Sequence, residues 1–429
     1  MTKRRPAFIS LLVAVLLLTA TTVHAKVYLD VFGKGFKKIT VAVPPFKSEG
    51  TDKLKTDMSE LLNKDLDMSG FFIAAPQSLL DKEFLAEGVE KVDIKFNSWR
   101  SIGVELLCKG KLQEKDGDII LEAYIYDTID GSLMLGKRYR TRADDWRRVV
   151  HRLADDIMLT ITGEKGIMSS KIVFVSGSRN QKDIYLSDID GYNLKRMTNY
   201  RSITLSPSIS PNGRYLAYTS YREGKPNLYI VDIEKGRETF TDKGDGMKTG
   251  TSWIGNTTFV YSQSSGRADV IYSVDVEKRD KKVLQRNEGI ATSPCFSPDG
   301  TKMVFVSDMH GSPQIFIKDM LSGNIKRLTY SGAYNSSPAF SPKGDTIAFV
   351  AKFEGAFEIC LMNPDGSNQR VLTNGGINDS PQFSPCGRYI IYSSNKGGRY
   401  SINLMLFNGE NKRMLRFTDG EESQPRFIP

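Results

Sequence analysis

Residues 293–307 read SPCFSPDGTKMVFVS, and the pattern recurs as SPAFSPKGDTIAFVA at residues 337–351 and as SPQFSPCGRYIIYSS at residues 380–394. An earlier copy, SPSISPNGRYLAYTS, occupies residues 206–220. The turn serines fall at 210, 297, 341 and 384, so the last three lie 44 and 43 residues apart and the first gap spans two periods. The copy missing from this series is degenerate, with Trp253-Ile254-Gly255-Asn256 where its turn should be. A period of about 40 to 45 residues is typical of a β-propeller.

Each repeat contains the parts of a four-stranded blade. In the Ser-Pro-x-Gly turn, proline fixes φ and glycine supplies a positive φ, so the turn joins two strands as a hairpin. Apolar, β-rich runs predict the third strand and shorter runs predict the fourth. The third strands are predicted at Asn227–Asp232, Gln314–Ile317 and Glu358–Met362, and the fourth at Lys326–Thr329 and Gln369–Thr373.

The two ends of the repeat array complement each other. Lys171–Val175 matches a second strand that lacks a first strand, and Ser423–Phe427 matches a first strand with no blade after it. Pairing these ends closes a ring of six blades and leaves no exposed sheet edge. A linear β-solenoid, the alternative, would leave both ends unpaired. We therefore predict a six-bladed all-β propeller closed by the C-terminal strand.

The chain before the repeats predicts a smaller α/β domain. Apolar residues at helical spacing indicate two amphipathic helices, at Asp52–Met68 and at Asp144–Ile161, and Gly163 ends the second. Three strands are predicted between them, at Val104–Gln113, Ile119–Asp127 and Ser132–Thr141. The predicted layout is a signal peptide at residues 1–25, the α/β domain at 26–165 and the propeller at 166–429.

The first residues are typical of a secretory signal peptide. Lys3, Arg4 and Arg5 precede an apolar run at Ala7–Ala20, and small residues at Val23-His24-Ala25 predict cleavage after Ala25. A transmembrane anchor is the alternative, but a spanning helix needs about 20 apolar residues. We expect an exported, soluble mature chain that is not inserted in the membrane, and its net charge falls from +9 to +6 once the three basic residues are removed.

Composition excludes several function classes. The basic residues are scattered, without the dense tract that nucleic-acid binding favours. The four cysteines, Cys108, Cys295, Cys360 and Cys386, are sparse and include no Cys-x-x-Cys pair. A disulfide framework is possible in an exported chain, but buried free thiols are the expected state.

The sequence carries no recognisable catalytic motif. It lacks a Gly-x-Ser-x-Gly elbow, a His-Glu-x-x-His pair and a Walker phosphate loop. Of its three histidines, His24 leaves with the signal peptide, His151 lies on a predicted helix and His310 in a predicted turn. We expect no enzyme activity, no metal and no cofactor. We expect a monomeric chain that functions by binding other proteins.

Loops at the mouth of a propeller channel usually carry its function. The segments just before the inner strands should line one mouth, and they are rich in small hydroxyl and amide residues that suit a docked polypeptide. They are Ser202–Ser206, Lys248–Thr251, Ile290–Ser293, Tyr334–Ser337, Ile377–Ser380 and Glu421–Gln424. The alternative is that short polar residues simply make good turns.

The repeat resembles those of the TolB family and of prolyl oligopeptidase-type enzymes. The order of segments is similar to the TolB family: a signal peptide, a short mature start at Lys26–Val31, a first strand at Ile39–Phe46, an α/β domain and six blades. The segment Asp188–Asn193 in the first repeat is also similar to that family.

This resemblance implies a periplasmic scaffold of the Tol–Pal system, linking the outer-membrane lipoprotein Pal to inner-membrane Tol proteins and supporting outer-membrane integrity and cell division. The Pal-like partner would bind at the channel mouth, where the candidate residues are Lys248, Thr249, Ile290, Thr292, Ser293, Ser336, Ser337, Asn378 and Asp379. A TolA-like protein would bind the N-terminal segment through Lys26, Val27, Tyr28, Leu29, Asp30 and Val31. The alternative function is a propeller that binds or processes peptides or glycans.

Overall fold

The computed structural model describes residues 37–48, 52–264, 266 and 268–428. The predicted signal peptide and the predicted partner-binding segment Lys26–Val31 lie outside the described residues. Within them the predicted architecture is confirmed, because an α/β sheet precedes six four-stranded sheets. None of the helices in the described part of the chain is long and apolar enough to cross a membrane.

The α/β domain is built on one sheet with the strand order β3-β1-β4-β5-β6, and β2 pairs with β4. Its strands are β1 (Ile39–Ala42), β2 (Lys47–Ser48), β3 (Phe72–Ala74), β4 (Leu106–Lys115), β5 (Asp118–Asp127) and β6 (Leu133–Arg142). Its helices are α1 (Asp52–Ser69), α2 (Lys82–Ala86), α3 (Phe96–Ser101) and α4 (Trp146–Thr162), with single 3₁₀ turns at Gln77–Leu79, Lys91–Asp93 and Ala143–Asp145. β1 runs parallel to β3 and β4, whereas β4, β5 and β6 form an antiparallel meander.

Helical spacing of apolar residues explains why α1 and α4 pack against each other and against the sheet. On α4, Val150, Leu153 and Ile157 recur at helical spacing and are fully buried. The helix ends at Gly163, which adopts φ +75° and donates its N–H to the Leu159 carbonyl. A left-handed residue is a common helix stop that glycine adopts without steric cost.

Each propeller blade is an antiparallel sheet of four strands. The closing blade combines β30 (Glu421–Ile428) with β7 (Lys171–Gly177), β8 (Lys182–Asp188) and β9 (Lys195–Arg196). Blade 1 contains β10 (Thr204–Ile209), β11 (Tyr215–Ser220), β12 (Asn227–Asp232) and β13 (Arg237–Asp242). Blade 2 contains β14 (Lys248–Ile254), β15 (Thr258–Ser264), β16 (Ala268–Asp275) and β17 (Asp280–Glu288).

The remaining three blades repeat the same plan. Blade 3 contains β18 (Ala291–Phe296), β19 (Lys302–Ser307), β20 (Gln314–Asp319) and β21 (Ile325–Arg327). Blade 4 contains β22 (Asn335–Phe340), β23 (Ile347–Phe353), β24 (Ala356–Met362) and β25 (Arg370–Val371). Blade 5 contains β26 (Asn378–Phe383), β27 (Tyr389–Ser394), β28 (Ser401–Leu406) and β29 (Arg413–Leu415).

The ring closes by the predicted pairing of its two ends. β30 lies antiparallel to β7, with Phe427 opposite Ile172 and Ser423 opposite Val175. The apolar core lies between neighbouring blades, where residues such as Val304 on blade 3 and Phe349 on blade 4 belong to one buried cluster. All four cysteines are free thiols; Cys108 and Cys360 are buried, whereas Cys295 and Cys386 are partly exposed.

A buried polar cluster joins the α/β domain to the closing blade. Nδ1 of His151 on α4 lies 2.7 Å from a carboxylate oxygen of Asp65 on α1. Its Nε2 lies 3.4 Å from Asp190, which follows β8, at a distance that makes this an electrostatic contact rather than a strong hydrogen bond. Arg147 also pairs with Asp190. Burial alone would lower the pKa of His151, but Asp190 and Asp65 outweigh it and raise that pKa to about 9.

A second set of contacts joins the α/β domain to blade 5. The Arg413 guanidinium donates to the Asp67 carboxylate at 2.7 Å and to its main-chain carbonyl at 2.8 Å. The Tyr389 hydroxyl donates to the carbonyl of Ser69 at 2.9 Å. Arg388 pairs with Glu164 at 2.6 Å. Since Arg388 directly follows the Ser-Pro turn of its blade, the α/β domain sits on the turn side of the propeller.

Candidate partner-binding mouth

The central channel has two chemically different ends. The inner strand of each blade starts at one end, here called the open mouth. At the other end, the inner strands of blades 1, 3, 4 and 5 reach a Ser-Pro turn. A cavity of about 550 Å³ at the turn end is lined by the repeat phenylalanines Phe296, Phe340, Phe383 and Phe427 together with turn prolines. The smaller cavity towards the open mouth, about 160 Å³, is lined mainly by polar residues. The polar end faces away from the turns that carry the α/β domain.

Six residues at equivalent places in the inner strands line the polar cavity. We call them the mouth ring: Ser206, Gly250, Ser293, Ser337, Ser380 and Gln424. The five that are not glycine adopt left-handed φ values between +51° and +55°. At each of them the strand register shifts by a bulge, for example between Thr292 and Cys295.

The first Ser-Pro step of the repeat, such as Ser293-Pro294 at the mouth, explains this geometry. Proline has no N–H, so it loses no ladder hydrogen bond when it follows the bulge. A non-glycine residue in the left-handed region costs about 1 to 3 kcal/mol and persists only where the surrounding structure enforces it. Such strained residues are concentrated at functional sites. The mouth ring therefore combines small polar side chains with a rigid and strained backbone.

Hydrogen bonds between blades hold the mouth ring in place. The Gln424 side-chain oxygen accepts from the Ser206 N–H at 2.7 Å, which ties the closing blade to blade 1. The Asp379 carboxylate accepts from the Ser337 hydroxyl at 2.8 Å and from the Ser380 N–H at 2.6 Å. These bonds within the propeller fix the geometry of the ring.

The structure brings some of the predicted mouth residues together and separates others from the channel. Thr249, Ser293, Ser337 and Asp379 line the polar cavity. Ile290, Thr292 and Ser336 lie beside it at the starts of β18 and β22, partly exposed.

Lys248 and Asn378 are buried and do not face the channel. The Lys248 ammonium donates to the carbonyls of Gly244 and Gly246, at 3.1 and 3.2 Å, and burial lowers its pKa. The Asn378 amide donates to the carbonyl of Phe357 at 2.9 Å and to Glu358 at 3.1 Å. These two side chains hold the mouth loops in shape.

Ser206, Ser380, Gln424 and Arg426 line the polar cavity but were not named as candidate contacts, although the first three lie in the predicted mouth segments. The first three occupy the repeat position of Ser293 and Ser337, so the alignment of repeats was a sufficient signal. Arg426 stands where the repeat otherwise carries a smaller, uncharged residue. Burial lowers the pKa of its guanidinium, an effect partly offset by Cys295 and Asp379.

Two family models match the chain. The model described as the TolB beta propeller domain matches residues 159–429. The model described as the TolB amino-terminal domain matches residues 27–134. Together they cover both parts of the fold.

Individual proteins show the same similarity. A Protein TolB homolog of Chlorobium luteolum is 34% identical over 301 residues, covering 70% of this chain and 68% of the relative. A Tol-Pal system protein TolB of Desulfosudis oleivorans is 36% identical over 251 residues, which is 57% of either chain. The crystal structure of TolB from Acinetobacter baumannii superposes with a TM-score of 0.81 at 25% identity and covers 92% of this chain and 97% of that one.

Proposed function

The chain belongs to the TolB family, and from that premise we propose that it is a periplasmic, non-catalytic scaffold that binds other proteins of the Tol–Pal system. Its propeller mouth binds a Pal-like outer-membrane lipoprotein. Its N-terminal segment binds a TolA-like inner-membrane protein. The bridge between them supports outer-membrane integrity and cell division.

The mouth ring is the observation that carries this proposal. It presents hydroxyls and main-chain groups on a backbone that is fixed by bulges and inter-blade hydrogen bonds. Few side chains of the mouth would therefore lose freedom when a protein docks, which lowers the entropic cost of binding. Asp379 is the one carboxylate among the residues lining the polar cavity. Glycoside hydrolysis generally uses a pair of carboxylates, which makes binding the better account of this site.

The N-terminal segment lies outside the described residues, and its proposed role rests on the family and on the sequence. Val27, Leu29 and Val31 alternate with polar or aromatic residues, a pattern that suits addition of a strand to the edge of a partner's sheet. We also propose a boundary near residue 165 between the α/β domain and the propeller, directly after the Gly163 helix stop.

The propeller half of the proposal is tested with the mature protein and the soluble domain of the Pal-like lipoprotein from the same organism. Isothermal titration calorimetry should detect a complex. Ser336→Trp places a bulky ring beside the mouth and should weaken binding by about tenfold or more, whereas Ser322→Trp, at an exposed turn on the other side of the blade, should not. No binding by the unmodified protein, or equal binding by both variants, would contradict the assignment.

The N-terminal half is tested by deleting Lys26–Phe36. The shortened protein should lose binding to the soluble domain of the TolA-like protein and keep its thermal unfolding midpoint and its binding to the Pal-like domain. Retained TolA binding would show that another surface is responsible.

A further inference from the structure

One charged side chain interrupts a ring of smaller, uncharged residues inside the channel. Two positions after each mouth-ring residue, the inner strands carry Ser208, Ser252, Cys295, Ala339, Gln382 and Arg426. Arg426 is the only charged member of this set. It lines the polar cavity together with the mouth ring.

Two equivalent side chains have structural partners in the neighbouring blade. The Ser252 hydroxyl accepts from the N–H of Phe296 at 3.2 Å. The Gln382 side-chain oxygen accepts from the N–H of Phe427 at 2.7 Å. The Arg426 side chain forms no hydrogen bond and no ion pair with any residue in the described part of the chain, although its main chain pairs with Val173 in the sheet. Blade-to-blade bonding therefore does not explain why arginine stands at this position.

The neighbouring carboxylate does not neutralise Arg426 by direct contact. Asp379 already accepts hydrogen bonds from Ser337 and from the Ser380 N–H. It acts on the guanidinium from beyond ion-pair distance, and the burial that lowers the pKa of Arg426 exceeds its effect. A buried cation without a counter-ion costs free energy. Because Asp379 does not pair with the Arg426 guanidinium, an anion that binds beside it would stabilise it.

Further hydrogen-bond donors surround the same cavity. Within the described residues, the hydroxyls of Ser206, Ser293 and Ser380 make no side-chain hydrogen bond. The Gln424 amide uses its oxygen on Ser206, which leaves its NH₂ group as a donor. We call this set the carboxylate pocket: Arg426, Gln424, Ser206, Ser293 and Ser380. Its volume of about 160 Å³ has room for a carboxylate on a short stem.

We propose that the carboxylate pocket receives an Asp or Glu side chain that the protein partner inserts through the open mouth, and that Arg426 pairs with it. This inference rests on the proposed function, because it names the chemistry by which that mouth recognises its partner. An Arg–carboxylate pair formed inside a channel is little screened by salt and can be bidentate.

The experiment compares Arg426→Gln with the unmodified protein in calorimetric titrations of the Pal-like soluble domain at two salt concentrations. We expect Arg426→Gln to weaken binding by about 30-fold or more. Arg426→Lys should lie between the two, because a lysine keeps the charge and loses the bidentate geometry. Arg179→Gln removes one exposed positive charge from the same side of the propeller and should change the affinity by less than about threefold.

A charge swap identifies the partner's group and guards against misfolded variants. Arg426→Glu should abolish binding to the unmodified partner, and one Asp→Lys or Glu→Lys substitution on the partner should restore it. Restoration requires a folded propeller. Thermal unfolding of every variant provides the second check.

The outcomes separate this inference from the proposed function. If the unmodified protein does not bind the Pal-like domain, the proposed function fails. If it binds and Arg426→Gln binds equally well, the proposed function stands and the carboxylate pocket is overturned. Binding of inorganic phosphate that depends on Arg426, combined with partner binding that does not, would assign the pocket to a free anion and would also overturn the inference.

Discussion

At the scale of single residues, a threonine hydroxyl fastens the fourth strand of several blades to the third. Thr198, Thr329 and Thr373 each accept a hydrogen bond from a third-strand N–H, at 2.8 to 2.9 Å. Each also donates to a buried side chain at the start of that strand, which is Asp183, Gln314 or Glu358 respectively. The threonine at the end of the repeat therefore has a structural role, because it links the fourth strand to the third by hydrogen bonds.

Replacing Thr373 by valine keeps the shape of the side chain and removes both hydrogen bonds of its hydroxyl group. The N–H of Ile359 and the Glu358 carboxylate then each lose a partner in a buried setting, so we expect the free energy of unfolding to fall by about 1 to 3 kcal/mol. Urea denaturation followed by circular dichroism measures the change. Thr160→Val, at an exposed position on α4, should stay within about 0.5 kcal/mol of the unmodified protein. Equal stability of the two variants would contradict this role.

At the scale of elements, prediction succeeded where a pattern repeats or a helix is long. The helix predicted at Asp52–Met68 is observed at Asp52–Ser69, and the degenerate repeat still forms a full blade because Phe259 and Tyr261 on β15 are fully buried. The short helices α2 and α3 were not predicted. They are held by tertiary contacts, such as the bond from the Trp99 indole to Glu87 at 2.7 Å, and such contacts leave no periodic signal in the sequence.

The closing strand β30 belongs to the same scale, and its removal should be severe. A chain ending at Asp419 lacks β30, the strand that pairs with β7, and therefore exposes one edge of β7. We expect oligomers or aggregates in size-exclusion chromatography and a lower thermal midpoint. The chain without Lys26–Phe36, which leaves every described strand intact, should elute as the full protein does. A monomeric, equally stable truncated chain would show that the ring does not need closure.

At the scale of the whole molecule, the cluster around His151 should make the stability of the domain interface depend on pH. Asp65, Asp190, Asp155 and Arg147 are the charged groups near the imidazole. The pKa of His151 is raised from 6.5 to about 9. Its contribution to the free energy of unfolding is therefore complete below pH 6.5 and is lost as the pH rises through about 9. Burial would raise the pKa of Asp190, but hydrogen bonding and attraction to His151 lower it. The contribution of Asp190 to the free energy of unfolding is therefore lost on acidification.

We therefore expect the thermal midpoint to be highest near pH 6 and to fall between about pH 7 and pH 9.5. His151→Gln should lower the midpoint at pH 6 and flatten this alkaline fall. His310→Gln, at an exposed turn of blade 3, should keep the profile of the unmodified protein. Differential scanning calorimetry across this pH range measures all three proteins, and an alkaline fall that persists in His151→Gln would have another origin.

The channel site could be predicted only in part. Repeat alignment located the segments at the mouth, because equivalent positions in a closed ring must face one axis. It could not show that Lys248 and Asn378 turn away from that axis, since their burial depends on carbonyls supplied by loops around them. Nor could it show that the Arg426 side chain has no partner among the residues that the structure describes, which depends on side chains from several blades meeting in the channel.

The pairing of Ile428 with Lys171 also constrains how the chain folds. Synthesis delivers residues in order, so β7 emerges with its neighbouring position empty and stays incomplete until the last strand of the propeller arrives. Contacts of such long sequence separation make folding slow. Until then the chain exposes the unpaired edge of β7, which makes it prone to aggregation. A stop codon that removes only the last nine residues should thus act as a folding mutation, acting long before any partner is met.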